Sequence, residues 1–159
     1  MSDKIVIRNS YSHRVSTVKK SNGHSILRII AYIMARKLEN NLTGNEHNFS
    51  HKSGVINTGF FMPHVKTEMN EEQFYNHIEN NSHASTNIIA YSSILALPPE
   101  LSQEEQIKVV EKFCEDFTEQ YGTCISYAIH EADNLKRKKA RLEEIEKYNL
   151  PEDKEDLQL

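Results

Sequence analysis

A pair of adjacent prolines, Pro98-Pro99, divides one stretch of the chain into a strand and a helix. Residues 88–97, which precede the prolines, are rich in β-branched and other apolar side chains, and this composition predicts a strand. Proline ends such a strand because it has no backbone N–H to donate to the ladder. Ser102 and Glu105, which follow, have the spacing of a capping box, and apolar residues then recur at helical intervals as far as the next glycine. This part of the chain is therefore predicted to form a strand followed by a capped helix.

The rest of the sequence continues this alternation of strands and helices. Alternating apolar residues and polar turns predict extended segments over residues 5–18, strands over 55–62 and 124–130, and a polar loop over 40–53. Helical spacing of apolar residues after an N-cap predicts two helices, over 26–38 capped by Ser25 and over 71–80 capped by Asn70. The last strand alternates an apolar face, which includes Tyr127, with a face that carries His130. Taken alone, this order of elements predicts an α/β layer structure, with a parallel sheet as the first expectation.

The composition is typical of one ordinary globular domain. The 159 residues, of which 38% are hydrophobic and 26% charged, suffice for one buried core and are too few for two full domains. No apolar run approaches the ~18 residues that a membrane-spanning helix requires, and the first residues show no signal peptide. We therefore expect a cytoplasmic protein. Cys114 and Cys124 lack the spacing of a metal site, which favours reduced structural thiols.

Basic residues are concentrated near the start of the chain, although the formal net charge is -4. Residues 1–40 contain eight lysine or arginine residues and only two acidic residues, a balance that attracts a phosphate backbone. The candidates for phosphate contacts are Lys19, Lys20, Arg28 and Arg36. The alternative interpretation is that these residues are solvated surface charges offset by acidic helices elsewhere, and composition does not separate the two.

The composition changes abruptly near the C-terminal end. A basic run, Lys136 to Lys139, is followed by several glutamates with few apolar anchors, and this pattern predicts a charged, loosely held helix. The acidic residues from Pro151 onward predict a disordered tail. We therefore expect a folded domain over residues 1–131 and a charged helix with a disordered tail over residues 132–159.

Several short segments occur in an order that resembles one known family. They are Ala31-Tyr32 in the first helix, Thr43-Gly44, Lys52-Ser53-Gly54-Val55, Leu95 to Ser102, and Ala128-Ile129-His130. Each segment alone is weak evidence, since a tyrosine in an apolar helix or a histidine at a strand end is most often a packing residue. Their order and spacing over residues 5–131 resemble the start of the MobA/MobL relaxases, including the relaxase part of the TraA conjugation proteins.

The resemblance implies both a fold and a mechanism. The fold is α/β (α+β) and relaxase-like (HUH-type), in which an antiparallel sheet, rather than a parallel one, is flanked by helices. In conjugal transfer or plasmid mobilisation, a tyrosine of such an enzyme attacks a phosphodiester of single-stranded DNA at a transfer origin and keeps the 5′ phosphate. A histidine-bound divalent metal, Mg²⁺ or Mn²⁺, polarises that phosphate. By this resemblance Tyr32 matches the nucleophile and His130 the first of three metal-binding histidines, and the partners can include other mobilisation proteins.

The sequence departs from the family pattern at its polar site positions. The family places a His-x-His pair shortly after the position of His130, whereas residues 131–140 contain no histidine. Asn57 and Gly59 stand where the family often has a histidine and a glutamate. We therefore expect a relaxase domain truncated before the His-x-His pair and impaired in strand cleavage, with present enzymatic activity left open. The alternative hypothesis is a non-catalytic DNA-binding or interaction module, or a non-functional remnant, that keeps the relaxase scaffold.

Overall fold

The structure, a computed structural model, describes residues 13–64, 68–83, 88–132, 142–143 and 146–147. Between residues 13 and 132, the described ranges contain six β-strands and three α-helices. In chain order the elements are β1 (His13–Val18), α1 (Ile26–Met34), β2 (Lys37–Glu39), β3 (Glu46–Asn48), β4 (Val55–Phe61), α2 (Glu71–Asn81), β5 (Ala90–Leu95), α3 (Gln103–Tyr121) and β6 (Ile125–His130), with a 3₁₀ turn at Lys20–Asn22.

Every strand pair among the described residues is antiparallel. Strand β1 pairs with β5, β2 with β3, and β4 with β6. The register of the last pair shifts between Val55 and Asn57, which marks a β-bulge near the start of β4. The predicted antiparallel arrangement flanked by helices is therefore confirmed, and the parallel pairing that element order alone favours is not formed in this part of the chain.

The β4–β6 pair has helices on both of its faces. On one face, Tyr127 and Ile129 of β6 pack with Cys114 of α3 in a buried cluster. On the other face, the hydroxyl of Tyr75 in α2 donates a 2.8 Å hydrogen bond to the hydroxyl of Ser126. The predicted alternation along β6 is confirmed, and each face of this strand contacts a different helix.

Helix α1 is buried on most sides. Its N-cap is Ser25, whose hydroxyl accepts the backbone N–H of Arg28, as predicted. Ser25 also donates a 2.5 Å hydrogen bond to the carboxylate of Glu79, so the start of α1 is fixed against α2. The buried residues of α1 belong to the cluster that it forms with Leu38 and Tyr75, and they are Ile26, Leu27, Ile30, Ala31 and Met34.

The sequence predicts that helix α1 extends to Leu38. In the structure the helix ends at Met34. Ala35 has a left-handed backbone conformation, with φ 50° and ψ 50°, and its N–H caps the helix by bonding to the carbonyl oxygens of Ala31 and Tyr32. The prediction is wrong here because glycine is the usual residue at this position of a helix end, and alanine gives no such signal. Leu38 lies in β2 instead and is 5% exposed in the core.

The polar loop predicted for residues 40–53 contains one short strand, β3, which pairs with β2 in a hairpin that the sequence did not predict. The side-chain oxygen of Asn40 accepts the backbone N–H groups of Leu42 and Thr43, each at 3.0 Å. The N–H of Gly44 then bonds to the carbonyl of Asn40 at 2.8 Å and closes the turn. Each strand of this hairpin has only three residues, which is too short for alternation to show in the sequence.

The predicted caps of the other two helices are confirmed. Asn70 and Gln73 form a reciprocal capping box at the start of α2, and Ser102 and Glu105 form one at the start of α3. Helix α3 ends at Gly122, which has the left-handed conformation that favours glycine. Local signals therefore set the start of both helices and the end of α3.

Two predicted segments lie largely or wholly outside the described residues. These are the extended segment before residue 13 and the charged helix and tail over residues 132–159, of which only 132, 142–143 and 146–147 are described. The backbone is helical at 142–143 and at 146–147. In the part of the chain that the structure describes, no helix combines the length and the apolar composition needed to cross a membrane.

Candidate functional site

Tyr32 lies in the last turn of α1, with its ring at the rim of the fold, and is 51% exposed. The edge of Phe49 meets this ring, with 5.3 Å between centroids and 85° between ring planes. The ammonium of Lys52 lies 3.1 Å from the ring centroid and also donates to the backbone carbonyl of Tyr32 at 3.1 Å. The phenol is thus held between an aromatic ring and a cation while it remains accessible from outside.

His130 is the last residue of β6 and lies beside the same end of α1. Its Nε2 is 2.7 Å from the carbonyl oxygen of Ile33. Because a carbonyl can only accept, Nε2 carries the hydrogen, and in the neutral imidazole Nδ1 is the nitrogen with a free lone pair. This bond places His130 beside the backbone of the residue that follows Tyr32, at the end of α1.

A divalent metal needs more ligands than this position supplies. Among the described residues, no group of three or more His, Cys, Asp or Glu side chains could hold a metal ion. His130 offers only Nδ1, because its Nε2–H is bonded to the carbonyl of Ile33. Within the described ranges, the residues present therefore do not fit the metal that the resemblance implies.

Tyr127 fills the space beside Asn57 and Gly59, where the sequence departs from the family pattern. Gly59 pairs with Tyr127 across the β4–β6 ladder, and a Cβ atom added to Gly59 would lie 2.3 Å from Cε1 of that ring. The hydroxyl of Tyr127 bonds to Oδ1 of Asn57 at 2.7 Å and to Oε1 of Glu111 at 3.1 Å. Burial, reinforced by Glu111, raises the pKa of Tyr127 to about 12, so this phenol stays protonated at neutral pH. These positions are therefore packed around Tyr127.

Two of the four predicted phosphate-contact residues have partners within the protein. The ammonium of Lys20 donates to the carbonyl oxygens of Glu79 at 2.9 Å and Ser82 at 2.6 Å, at the C-terminal end of α2. Arg36 forms an ion pair with Glu71 at 2.9 Å. Both cations therefore contribute to packing around α2.

The side chains of the other two predicted phosphate-contact residues, Lys19 and Arg28, have no partner among the described residues. Arg28 is exposed and precedes Tyr32 by about one helical turn, so the two side chains share one face of α1. Lys19 lies at the end of β1, where its backbone N–H donates to Nδ1 of His24 at 3.1 Å. Arg28 is consequently the member of the predicted set that lies on the same surface as the phenol.

A cleft of about 360 Å³ opens between the end of α1 and the start of β4, and it is lined in part by Lys52, whose ammonium lies over the Tyr32 ring. Lys52, Ser53 and Gly54 line it from the loop before β4, and Ala35 lines it from the helix end. Lys52 was not predicted as a site residue, although it belongs to one of the segments that carry the resemblance. Its position over the Tyr32 ring depends on tertiary packing, for which the sequence gives no separate signal.

Glu71 is a buried carboxylate that connects α2 to its neighbours. It accepts hydrogen bonds from the hydroxyl of Ser126 at 2.8 Å and from Arg36 at 2.9 Å. Burial raises the pKa of Glu71, and the bond from Ser126 and the charge of Arg36 offset this only in part. The network fixes β6 against α2 and so positions the end of β6, where His130 lies.

The fold recurs in a solved structure described as "Molecular Basis of Vancomycin Resistance Transfer in Staphylococcus aureus". The two share a TM-score of 0.70 at 19% sequence identity, over 77% of this chain and 63% of that chain. At this identity the similarity defines the fold alone, and it agrees with the relaxase-like antiparallel α/β class predicted from the sequence.

The sequence comparison is more specific about the family. The MobA/MobL family matches residues 24–142, which is more than half of the chain, and the protein therefore belongs to the MobA/MobL family of mobilisation relaxases. Mobilization protein MobL of Acidithiobacillus ferridurans is 22% identical over 120 residues, which are 76% of this chain and 32% of that protein. The chain thus spans about a third of the length of this curated relative.

Proposed function

We propose that this protein binds single-stranded DNA at a transfer origin and attacks it through Tyr32, with impaired strand cleavage. The observation that carries the proposal is the hydrogen bond from His130 to the backbone carbonyl of Ile33, the residue that follows Tyr32 at the end of α1. The exposed phenol and the nearby Lys52 ammonium support it, since a phosphate needs both access and positive charge. The site of action is the cytoplasm, and other mobilisation proteins would act on the same DNA.

The proposed reaction is a reversible transfer of a DNA phosphate to tyrosine. The phenolic oxygen of Tyr32 loses its proton and bonds to phosphorus, while the bond from phosphorus to the 3′ oxygen breaks. The 3′ oxygen takes up a proton and leaves as a hydroxyl group, and the 5′ phosphate stays on the tyrosine. Because phenolate is a good leaving group, the 3′ hydroxyl can reverse the step and reseal the strand.

The proposed impairment follows from the polar groups around the phenol. Lys52 provides positive charge beside Tyr32, but in the part of the chain that the structure describes His130 belongs to no group of three or more side chains that could hold a metal ion. Asn57 and Gly59 are packed around Tyr127. With fewer groups to stabilise charge on the phosphate, the barrier to cleavage is higher than in a complete site.

A covalent-adduct assay tests the proposal. The purified protein is incubated with Mn²⁺ and single-stranded oligonucleotides that tile both strands of the DNA flanking its gene, each labelled at its 3′ end. The label then marks the fragment that stays on the tyrosine. We expect a slow adduct that is lost in Tyr32→Phe and retained in Tyr91→Phe, a matched change of a tyrosine that is 70% exposed on β5. An adduct that persists in Tyr32→Phe would show that another residue is the nucleophile.

A second candidate function is a DNA-binding module without catalysis. The bond between His130 and the carbonyl of Ile33 favours it, because it gives the imidazole a structural role that needs no metal. Salt-dependent binding of the same oligonucleotides, with no adduct in the wild-type protein under any divalent metal, would support this function over the first.

A further inference from the structure

The loop from Phe49 to Gly54, here called the Phe49–Gly54 loop, holds the ring of Tyr32 from two sides. Phe49 contacts the ring edge-on and Lys52 lies over its face. The backbone N–H of Lys52 donates to the carbonyl of Phe49 at 3.0 Å, so the two contacts belong to one closed turn. At its other end the loop is tied to the segment between α1 and β2, where the N–H of Phe49 donates to the carbonyl of Arg36 at 3.0 Å.

Two consecutive backbone donors of this loop have no acceptor. The N–H groups of Ser53 and Gly54 bond to no atom among the described residues, and both residues line the cleft. Gly54 has a φ of 88°, a conformation that favours glycine. Successive backbone N–H groups in a turn can form a concave donor arrangement that binds anions.

The ammonium of Lys52 adds a full charge to the same cleft. No carboxylate lies within ion-pair distance of Lys52 among the described residues; its recorded partners are the carbonyl and the ring of Tyr32. A carbonyl and a ring face stabilise a cation but do not neutralise it. The cleft therefore combines an uncompensated positive charge with free N–H donors, and the same ammonium lies over the ring of Tyr32.

We propose that this cleft binds one phosphodiester group of a single-stranded nucleic acid, through the ammonium of Lys52 and the backbone N–H groups of Ser53 and Gly54. The inference rests on the proposed function, because it identifies the phosphate that lies next to Tyr32. In the bound state the ammonium keeps its position near the ring and exchanges part of its contact with the carbonyl for a charge-assisted bond to the phosphate. Lys52 is then a binding residue that contacts the substrate.

The first test uses inorganic phosphate and needs no variant. In a titration of the ¹⁵N-labelled wild-type chain followed by NMR, we expect the largest amide shifts at Ser53 and Gly54, with saturation. Shifts confined to other loops, or scattered without saturation, would overturn the inference. The readout is independent of cleavage, so a protein that binds phosphate here and forms no adduct contradicts the proposed function and leaves the cleft as a phosphate site.

The second test measures binding of a fluorescent single-stranded oligonucleotide by anisotropy at low salt. Lys52→Gln should weaken binding by about tenfold, the loss of one charge-assisted hydrogen bond, and Lys52→Arg should restore most of it. The matched control is Lys112→Gln, which removes one exposed lysine paired with Asp116 on α3. Equal affinities of Lys52→Gln and Lys112→Gln, with equal thermal midpoints, would overturn the inference.

Discussion

Gly59 faces the ring of Tyr127 across the β4–β6 pair, and this contact explains why the position has no side chain. A Cβ atom at Gly59 would lie 2.3 Å from Cε1 and 2.9 Å from Cζ of Tyr127. The ring is 8% exposed and its hydroxyl is bonded to Asn57 and Glu111, so it has no free space to move into. We expect Gly59→Ala to lower the free energy of unfolding by about 1–3 kcal/mol, as measured in urea.

A double-mutant cycle separates this steric cost from the general effect of replacing a glycine in a strand. In a Tyr127→Leu background the ring is absent, so the penalty of Gly59→Ala should fall by about 1 kcal/mol or more. An unchanged penalty would mean that Tyr127 does not determine the residue at position 59.

Glu71 is expected to make the stability of the fold depend on pH. Burial raises the pKa of Glu71 above its ordinary 4.5, so the folded protein holds this proton more tightly than the unfolded chain does. The protonated carboxyl therefore contributes stability that is fully present below pH 4.5 and is lost as the pH rises through the raised pKa. Glu71→Gln lacks this titration. The unfolding free energy of the wild type minus that of the variant should fall as the pH rises above 4.5.

The measurement is a series of urea unfolding curves between acidic and neutral pH. Glu115→Gln, which removes an exposed carboxylate of α3, is the matched control for the change of charge. If the unfolding free energy of the wild type minus that of Glu71→Gln rises with pH, the ion pair with Arg36 outweighs the cost of burial.

At the scale of elements, the end of α1 is strained by a left-handed alanine. Ala35 has φ 50° and ψ 50°, a conformation that crowds Cβ against the following carbonyl in every residue but glycine. Ala35→Gly should therefore raise the unfolding free energy by about 1 kcal/mol. Ala31→Gly, in the buried interior of the same helix, should lower it by about 1 kcal/mol. A destabilised Ala35→Gly would show that the strain is offset by the contacts of the alanine methyl group.

The elements that the sequence predicts well are those with local signals at both ends. Ser102 with Glu105 at the start and Gly122 at the end define α3, and the bonds of these residues form as expected. Helix α1 has the start signal, Ser25, but no glycine at its end, so the predicted helix continues into a strand. The β2–β3 hairpin depends on hydrogen bonds of Asn40 within a turn, which the residue types around it did not reveal.

Of the candidate site, the sequence predicted only the residues that the family resemblance indicates. It indicated Tyr32 and His130, and β6 does pack beside the end of α1. The position of Lys52 over the ring, and the internal partners of Lys20, come from contacts between segments far apart in the chain. A single sequence shows which residues are charged, but charge alone does not show which cations are already paired.

At the scale of the whole molecule, the distribution of unpaired cations predicts how DNA binding depends on salt. Arg28 and Lys52 lie near Tyr32 without a carboxylate partner among the described residues, whereas Lys20 and Arg36 are bonded to α2. Each phosphate contact to a single strand contributes about −0.7 to the slope of log K against log salt. The double variant Arg28→Gln/Lys52→Gln should therefore reduce that slope by about 1.4.

The variants Lys20→Gln and Arg36→Gln carry the same change of charge and serve as controls. Because their cations already bond to carbonyl or carboxylate groups of α2, we expect them to lower the unfolding free energy and leave the slope unchanged. Fluorescence anisotropy with one oligonucleotide over a range of NaCl concentrations gives all slopes. If substitutions at all four positions reduced the slope equally, the DNA would be attracted by the overall positive charge of residues 1–40 and not bound specifically at the surface around Tyr32.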